Sequence, residues 1–270
     1  MISKEIKAKS IISPSALPGV DFVVNPYAGC LHACVYCYAR FMKRFMKESA
    51  EWGEFCHPKI NAVELAEKEI KKIPERSSIM FSSVTDAYNP LEKKYELTRK
   101  ILEILVNYNI DVSILTKSDL VLRDLDILKK MKQIEVGFTI TTTNEKFQKI
   151  LEPGASSPQK RIAALKALKQ SGINIFAFIG PILPYFTDLE NIFKQLSGIV
   201  EYVFVDTFNT KGANWDGVMN ILKKYFPNLI EKYKEIYLNE KNYRKYANDL
   251  KIQIQGLSKE YDVPVKMIFR

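Results

Sequence analysis

Cys30, Cys34 and Cys37 are the residues of this chain whose type and spacing point most directly to chemistry. They sit in Cys30-Leu-His-Ala-Cys34-Val-Tyr-Cys37, a C-x3-C-x2-C run that follows a short apolar stretch and an Asn25-Pro26 turn. A compact set of thiols in a chain with no secretory features points to metal rather than to disulfides. Three ligands are one short of closing a four-iron cluster or a tetrahedral zinc site. Structural zinc sites usually pair such a half with a second Cys or His pair, and the remaining His32, Cys56 and His57 repeat no such spacing. A four-iron cluster with one iron left open needs no further cysteine, so iron–sulfur is the simpler reading.

Such a loop needs a scaffold, and the flanking sequence supplies one. Val20–Asn25, Ser78–Ser83, Asp111–Thr116, Glu135–Thr141, Asn174–Gly180 and Tyr202–Asp206 are short β-branched or aromatic runs, the pattern of strands buried on both faces. Between them, Ala62–Ile73, Leu97–Tyr108, Asp119–Met131, Pro158–Gln170 and Asp188–Leu196 carry apolar residues at helical steps; Pro74 and Gly172 serve as stops. This alternation predicts an α/β fold, a partial (β/α)6 TIM-like barrel. Trp215–Gln255 reads as helical and broken at Pro227, with Val263–Phe269 as a last strand. One domain is expected, with a core over about 20–210 and a helical C-terminal extension over about 211–270. In such barrels function gathers at the C-terminal strand ends. Those ends are the cysteine loop, Ser82–Asp86, Thr116–Ser118, Thr139–Asn144, Gly180-Pro181 and Asp206–Asn209, polar at most positions.

Composition narrows the setting without naming a function. The 270 residues are 47% hydrophobic and 26% charged, which excludes wholesale disorder. No apolar run approaches the ~18 residues of a membrane span, and the start has no signal-peptide pattern, so a cytoplasmic location without membrane contact is expected. The net charge of +9, from 40 Lys and Arg against 31 Asp and Glu, suits an anionic partner or simply a lysine-rich surface.

With Tyr36 just before its last cysteine, the C-x3-C-x2-C run resembles the radical S-adenosylmethionine superfamily. Within it, the chain is similar to the spore photoproduct lyase-like, or "DNA repair photolyase"-like, group. That likeness runs from Asn25-Pro-Tyr-Ala-Gly-Cys30 through Ser82-Ser-Val-Thr-Asp86-Ala-Tyr-Asn-Pro90, Leu115-Thr-Lys117-Ser and Leu151-Glu-Pro153 to Arg161 and Gly180-Pro-Ile-Leu-Pro184. The resemblance implies a [4Fe-4S] cluster held by Cys30, Cys34 and Cys37, with the open iron chelated by S-adenosylmethionine. One electron from a low-potential donor of flavodoxin or ferredoxin type would cleave the cosubstrate, giving methionine and a 5′-deoxyadenosyl radical that abstracts hydrogen. It also implies cosubstrate contacts. Tyr36 would lie beside the adenine. Ser83, Thr85 and Asp86 would meet the amino group, for which hydroxyls and a carboxylate are suitable acceptors. Lys117 and Arg161 would meet the carboxylate, and Thr141 and Thr143, with Thr142 between them, the ribose.

One departure limits the likeness. Spore photoproduct lyases carry a hydrogen-donating cysteine where this chain has Ser83, whose O–H bond is far too strong for that task. Cys56, in Glu-Phe-Cys-His-Pro, is the only other thiol, a candidate catalytic residue or a buried strand residue. Arg40, Lys43, Arg44 and Lys47 recur at helical steps and would form a basic face, either for nucleic acid or simply solvated. The leading expectation is therefore a radical enzyme acting on nucleic acid or a nucleotide. A peptide or small metabolite is the alternative substrate, and a non-catalytic iron–sulfur or zinc protein that binds nucleic acid is the reading of another class.

Overall fold

The computed structural model describes residues 2–46, 48–211 and 213–269. Its strands are β1 (Ile12–Pro14), β2 (Phe22–Val24), β3 (Tyr27–Gly29), β4 (Cys56–Pro58), β5 (Ser78–Phe81), β6 (Asp111–Thr116), β7 (Gln133–Thr139), β8 (Asn174–Ile182), β9 (Tyr202–Thr207) and β10 (Val265–Met267). Its helices are α1 (Lys43–Met46), α2 (Ala62–Glu69), α3 (Glu92–Tyr95), α4 (Leu97–Leu105), α5 (Leu125–Leu128), α6 (Glu145–Leu151), α7 (Pro158–Gln170), α8 (Leu189–Leu196), α9 (Ala213–Tyr225), α10 (Ile230–Tyr237) and α11 (Glu240–Glu260). Among the described residues, no helix is long and apolar enough to cross a membrane.

The main sheet runs in the order β1-β2-β5-β6-β7-β8-β9-β10, parallel throughout except for the β1–β2 pair. β2, β5, β6, β7, β8 and β9 are the six strands expected of the partial barrel. The C-terminal helices then return the chain so that β10 pairs in parallel with β9. Strand alternation sorts the side chains. Val112, Ile114, Val136, Phe138, Ile175, Ala177, Ile179, Val203 and Val205 join one core beneath the helices, and the intervening residues face the barrel interior. Leu250, Ile254 and Leu257 of α11 belong to that same core, so the helical extension shares it.

The differences from the sequence-based expectation have local causes. The helix expected over Asp119–Met131 is a 3₁₀ turn, Asp119–Asp124, followed by the single turn α5. Ser118 caps that turn by accepting from Leu120 N. Asp124 at its end is fully buried against Arg99 and Arg123, so a buried charge network overrides helical periodicity there. Helix α6 was not anticipated, although Asn144 Oδ1 caps it by accepting from Lys146 N and Phe147 N. The antiparallel β3–β4 pair bears out the reading of Cys56 as a buried strand residue, while β3 carries too little periodicity in three residues to register.

Candidate functional site

The cysteine loop leaves β3 directly, and the β3–β4 hairpin fixes its start by pairing Gly29 with Cys56. Thr85 Oγ1 donates to Gly29 O at 2.6 Å, tying the loop to the end of β5. Val35 N donates to Leu151 O at 2.9 Å, and Gly154 N to His32 O at 3.1 Å, tying it to the segment after α6. Two glycines make the fit possible. A Cβ on Gly154 would stand 2.0 Å from Leu31 O, and one on Gly217 of α9 would stand 2.0 Å from Val35 O. Backbone thus approaches the loop from two sides where a side chain would collide, and these contacts with the fold add to the loop's own turn bond from Cys37 N to Cys34 O at 3.2 Å.

All four thiols are free; Cys30 and Cys34 are buried and Cys37 is half-buried. Burial pushes the Cys34 thiol up to about 12 and raises Cys30 and Cys37 as well, while Lys117 pulls Cys34 and Cys37 back. No group of three His, Cys, Asp or Glu side chains among the described residues converges as on a single metal ion. The thiolates of a four-iron cluster each take a different iron and so stand wider apart than that. Three clustered thiols, two buried and one half-buried, beside a lysine cation fit such a group, whose thiolates need a compensating charge. Cys56 lies beside the start of the loop, fully buried in β4, its Sγ 3.5 Å from both Gly29 O and Asn89 Oδ1.

Lys117 extends from the end of β6 into this space, its Nζ 5.9 Å from the centre of the Tyr36 ring. Burial opposes its charge, yet Cys34, Glu152 and Asp86 hold its pKa above the ordinary value. Its ammonium donates to no protein acceptor among the described residues. The other two ionised groups expected at the cosubstrate are already engaged. Asp86 is 6% exposed and accepts from Thr116 Oγ1 at 2.7 Å, Lys117 N at 2.9 Å and Tyr88 N at 2.9 Å. His32 Nδ1 stands 3.2 Å from Asp86 Oδ2, close but off the angle of a good hydrogen bond. Burial alone would raise Asp86, but His32, Thr116 and Lys117 together hold its carboxyl well below the usual range. Arg161, 1% exposed on α7, pairs with the equally buried Glu152 and donates to Thr139 O at 2.9 Å and Ser156 O at 2.8 Å. Each of its three guanidinium nitrogens donates inside the protein.

Glu152 also accepts from the Tyr36 hydroxyl, which lies 3.1 Å from Thr141 Oγ1. Tyr36, Thr141, Glu152 and Arg161 therefore form one buried chain joining the cysteine loop to β7 and α7. Thr143 accepts from Asn191 Nδ2 at 2.8 Å, and Ser83 Oγ accepts from Asn25 Nδ2 at 3.3 Å. Both are half-buried near the strand ends. Glu152 and His32 gained no role from sequence reasoning, because their partners Arg161 and Asp86 lie 9 and 54 residues away and no local signal links them.

The basic face expected after the cluster is reshaped. Arg40 is half-buried, with Cζ 3.3 Å from a Cβ placed on Gly217; Lys43 pairs with Glu51 at 3.0 Å; and Lys47 lies outside the described residues. What reaches solvent is Tyr38, Phe41 and Phe45, at 54%, 42% and 66% exposure, with Arg44 over the Phe41 and Phe45 rings at 6.0 and 4.9 Å.

The chain is similar in sequence to other proteins and in fold to solved structures. An uncharacterized protein of Methanocaldococcus jannaschii is 39% identical over 264 residues, covering 98% of this chain and 96% of its own length. A radical SAM Nα-GlyT isomerase of Pseudomonas phage M6 is 23% identical over 80% of this chain and 45% of its own. A spore photoproduct lyase structure with dinucleoside spore photoproduct superposes with a TM-score of 0.69 at 17% identity, covering 98% of this chain and 81% of that one, and so shares the fold. The sequence pattern of the radical SAM superfamily matches residues 24–196, beginning on β2 and ending with α8. This chain therefore belongs to the radical SAM superfamily and is an enzyme.

Proposed function

We propose that this enzyme cleaves S-adenosylmethionine reductively and acts on nucleic acid. Cys30, Cys34 and Cys37 would hold a [4Fe-4S] cluster. When bound, such a cluster, reduced by a flavodoxin- or ferredoxin-type donor, supplies the electron that splits the sulfonium to methionine and a hydrogen-abstracting 5′-deoxyadenosyl group. Lys117, a cation beside the loop whose ammonium has no acceptor among the described residues, takes the cosubstrate carboxylate. Ser83 and Thr85 stand at its ammonium, and Thr141 and Thr143 at its ribose. Asp86 and Arg161, whose hydrogen bonds are internal, act by position: Asp86 orients the backbone of Lys117, and Arg161 with Glu152 fixes Tyr36 inside the cysteine loop. Cys56 is a packing residue. Free thiols and a low-potential cluster suit a reducing, cytoplasmic setting.

The nucleic-acid substrate rests on one observation above others. Tyr38, Phe41 and Phe45 expose their rings directly after the cluster loop, with Arg44 against two of them, in a chain of net charge +9. Interleaved aromatics and guanidinium stack bases while meeting phosphates. The dinucleoside in the spore photoproduct lyase structure gives this reading further support.

Anaerobic reconstitution should yield about four irons and four sulfides per chain and dithionite-dependent release of 5′-deoxyadenosine. Cys34→Ala should abolish that release, and Cys56→Ala should leave it intact. Zinc uptake without iron would overturn the cleavage chemistry. For the substrate, a labelled single-stranded oligonucleotide should bind with steep salt dependence. Phe45→Ala should weaken it by about 5- to 150-fold, the range of one lost stacking contact. Absence of salt-sensitive binding would turn the substrate toward a peptide or metabolite.

A further inference from the structure

The barrel interior holds a carboxylate to which the cosubstrate reading gives no role. On β9, Val203 and Val205 face the helices, so Tyr202, Phe204 and Asp206 face inward. Phe176 and Phe178 do the same on β8, opposite Ile175, Ala177 and Ile179. The lower end of this interior is closed by rings. Phe176 and Tyr202 stack at 5.5 Å, Phe204 meets both edge-on at 5.8 and 5.2 Å, and Lys266 Nζ lies 3.6 Å from the centre of Tyr202. Tyr202 is anchored further by donating to Glu135 Oε2 at 2.8 Å. A substrate therefore enters from the other end, where the cysteine loop lies.

Above that floor the register sets Phe178 beside Phe204, both half-buried. A Cβ on Gly180 would stand 2.4 Å from the Phe178 ring, so glycine there lets the ring lie against the strand. Asp206 follows Phe204 by two residues toward the mouth and is also half-buried. Among the described residues, no side chain donates a hydrogen bond to it or forms an ion pair with it. Burial raises its carboxyl above the usual range, and the Thr207 backbone N–H offsets only part of that. An ionised carboxylate only accepts, so its missing partner is a donor. A flat apolar surface next to a lone acceptor suits a planar ring that carries N–H groups.

We propose that Asp206 reads the substrate: it accepts a hydrogen bond from a ring N–H or exocyclic amine of a nucleobase laid on Phe178 and Phe204. This rests on the nucleic-acid reading above. Bases drawn out of a stack are recognised in this way, by an acceptor on the edge and aromatic rings on the face.

The test uses reconstituted enzyme with S-adenosylmethionine and no reductant, so that nothing turns over. Fluorescence anisotropy measures the affinities of labelled single-stranded hexanucleotides of dA, dC, dG and dT for wild type, Asp206→Asn and Asp206→Ala. Wild type should separate the strongest and weakest sequences by at least about fivefold. Asp206→Ala should bring all four within about twofold while keeping the salt dependence, and Asp206→Asn, which offers donors as well as an acceptor, should change their order. Iron content and S-adenosylmethionine affinity should match wild type in both variants. An unchanged order in both variants, or no discrimination by wild type, overturns this role and leaves the nucleic-acid reading standing. A large loss of S-adenosylmethionine affinity instead moves Asp206 to the cosubstrate and likewise overturns it. Absence of salt-sensitive binding by wild type overturns both readings.

Discussion

Replacing Arg161 by Leu should destabilise the protein before any ligand is added. Arg161 and Glu152 are each 1% exposed, and with the guanidinium gone the Glu152 carboxylate is left buried without its ion-pair partner, the Tyr36 hydroxyl its one remaining side-chain donor among the described residues and the Lys117 charge its one remaining cation. Breaking one side of a buried ion pair typically costs about 3–5 kcal/mol. At ~2.1 cal/mol/K per residue, 270 residues give an unfolding entropy of roughly 0.57 kcal/mol/K, so the melting temperature should fall by about 5–9 °C. The double variant Arg161→Leu with Glu152→Gln removes the stranded charge and should recover more than half of that loss.

The pH dependence has a definite sign. In the wild type, burial pushes Glu152 up, but Arg161 and Lys117 more than offset it and hold its carboxyl below the usual value. Its contribution is therefore complete above the unfolded value of ~4.3 and is lost only as pH falls through the lower folded value. In Arg161→Leu the carboxylate favours its protonated form, so the deficit should shrink between pH 7 and pH 5, where this pair leaves the wild type unchanged. Calorimetry at both pH values checks this. A drop below about 2 °C for the single variant, or a double variant as unstable as the sum of the two singles, would refute the buried latch.

Two further substitutions test the scaffold. Gly154→Ala places a Cβ 2.0 Å from Leu31 O and should displace the cysteine loop, costing about 1–3 kcal/mol and lowering iron uptake on reconstitution. Asp86→Asn leaves one acceptor oxygen for the three donors Tyr88 N, Thr116 Oγ1 and Lys117 N, and should cost about 1–3 kcal/mol. Because the Asp86 carboxyl is held low, its stabilisation is present at neutral pH and is lost only in acid. Thermal melts from pH 6 to pH 3 should therefore be flatter for the variant than for the wild type.

The sequence by itself determined the cysteine trio and the six-strand frame, because both are local. A C-x3-C-x2-C run needs only eight residues, and Asp111–Thr116 and Pro158–Gln170 carry enough periodicity that their ends were placed correctly. Lys117 is legible as the residue that ends the third barrel strand in Leu115-Thr-Lys117-Ser, and its expected role comes from the family resemblance. The tertiary structure decided which charges are free. Asp86, Lys117 and Arg161 look alike in sequence, yet Asp86 is engaged by Thr116, Tyr88 N and Lys117 N, Arg161 by Glu152, Thr139 O and Ser156 O, and the Lys117 ammonium has no acceptor among the described residues. Hydrogen-bond occupancy depends on partners up to 116 residues apart, as Tyr36 and Glu152 show, and no spacing rule reaches that far. The inward turn of Asp206 is of the same kind: alternation was legible, but the face that looks into the barrel was set by which side the helices cover.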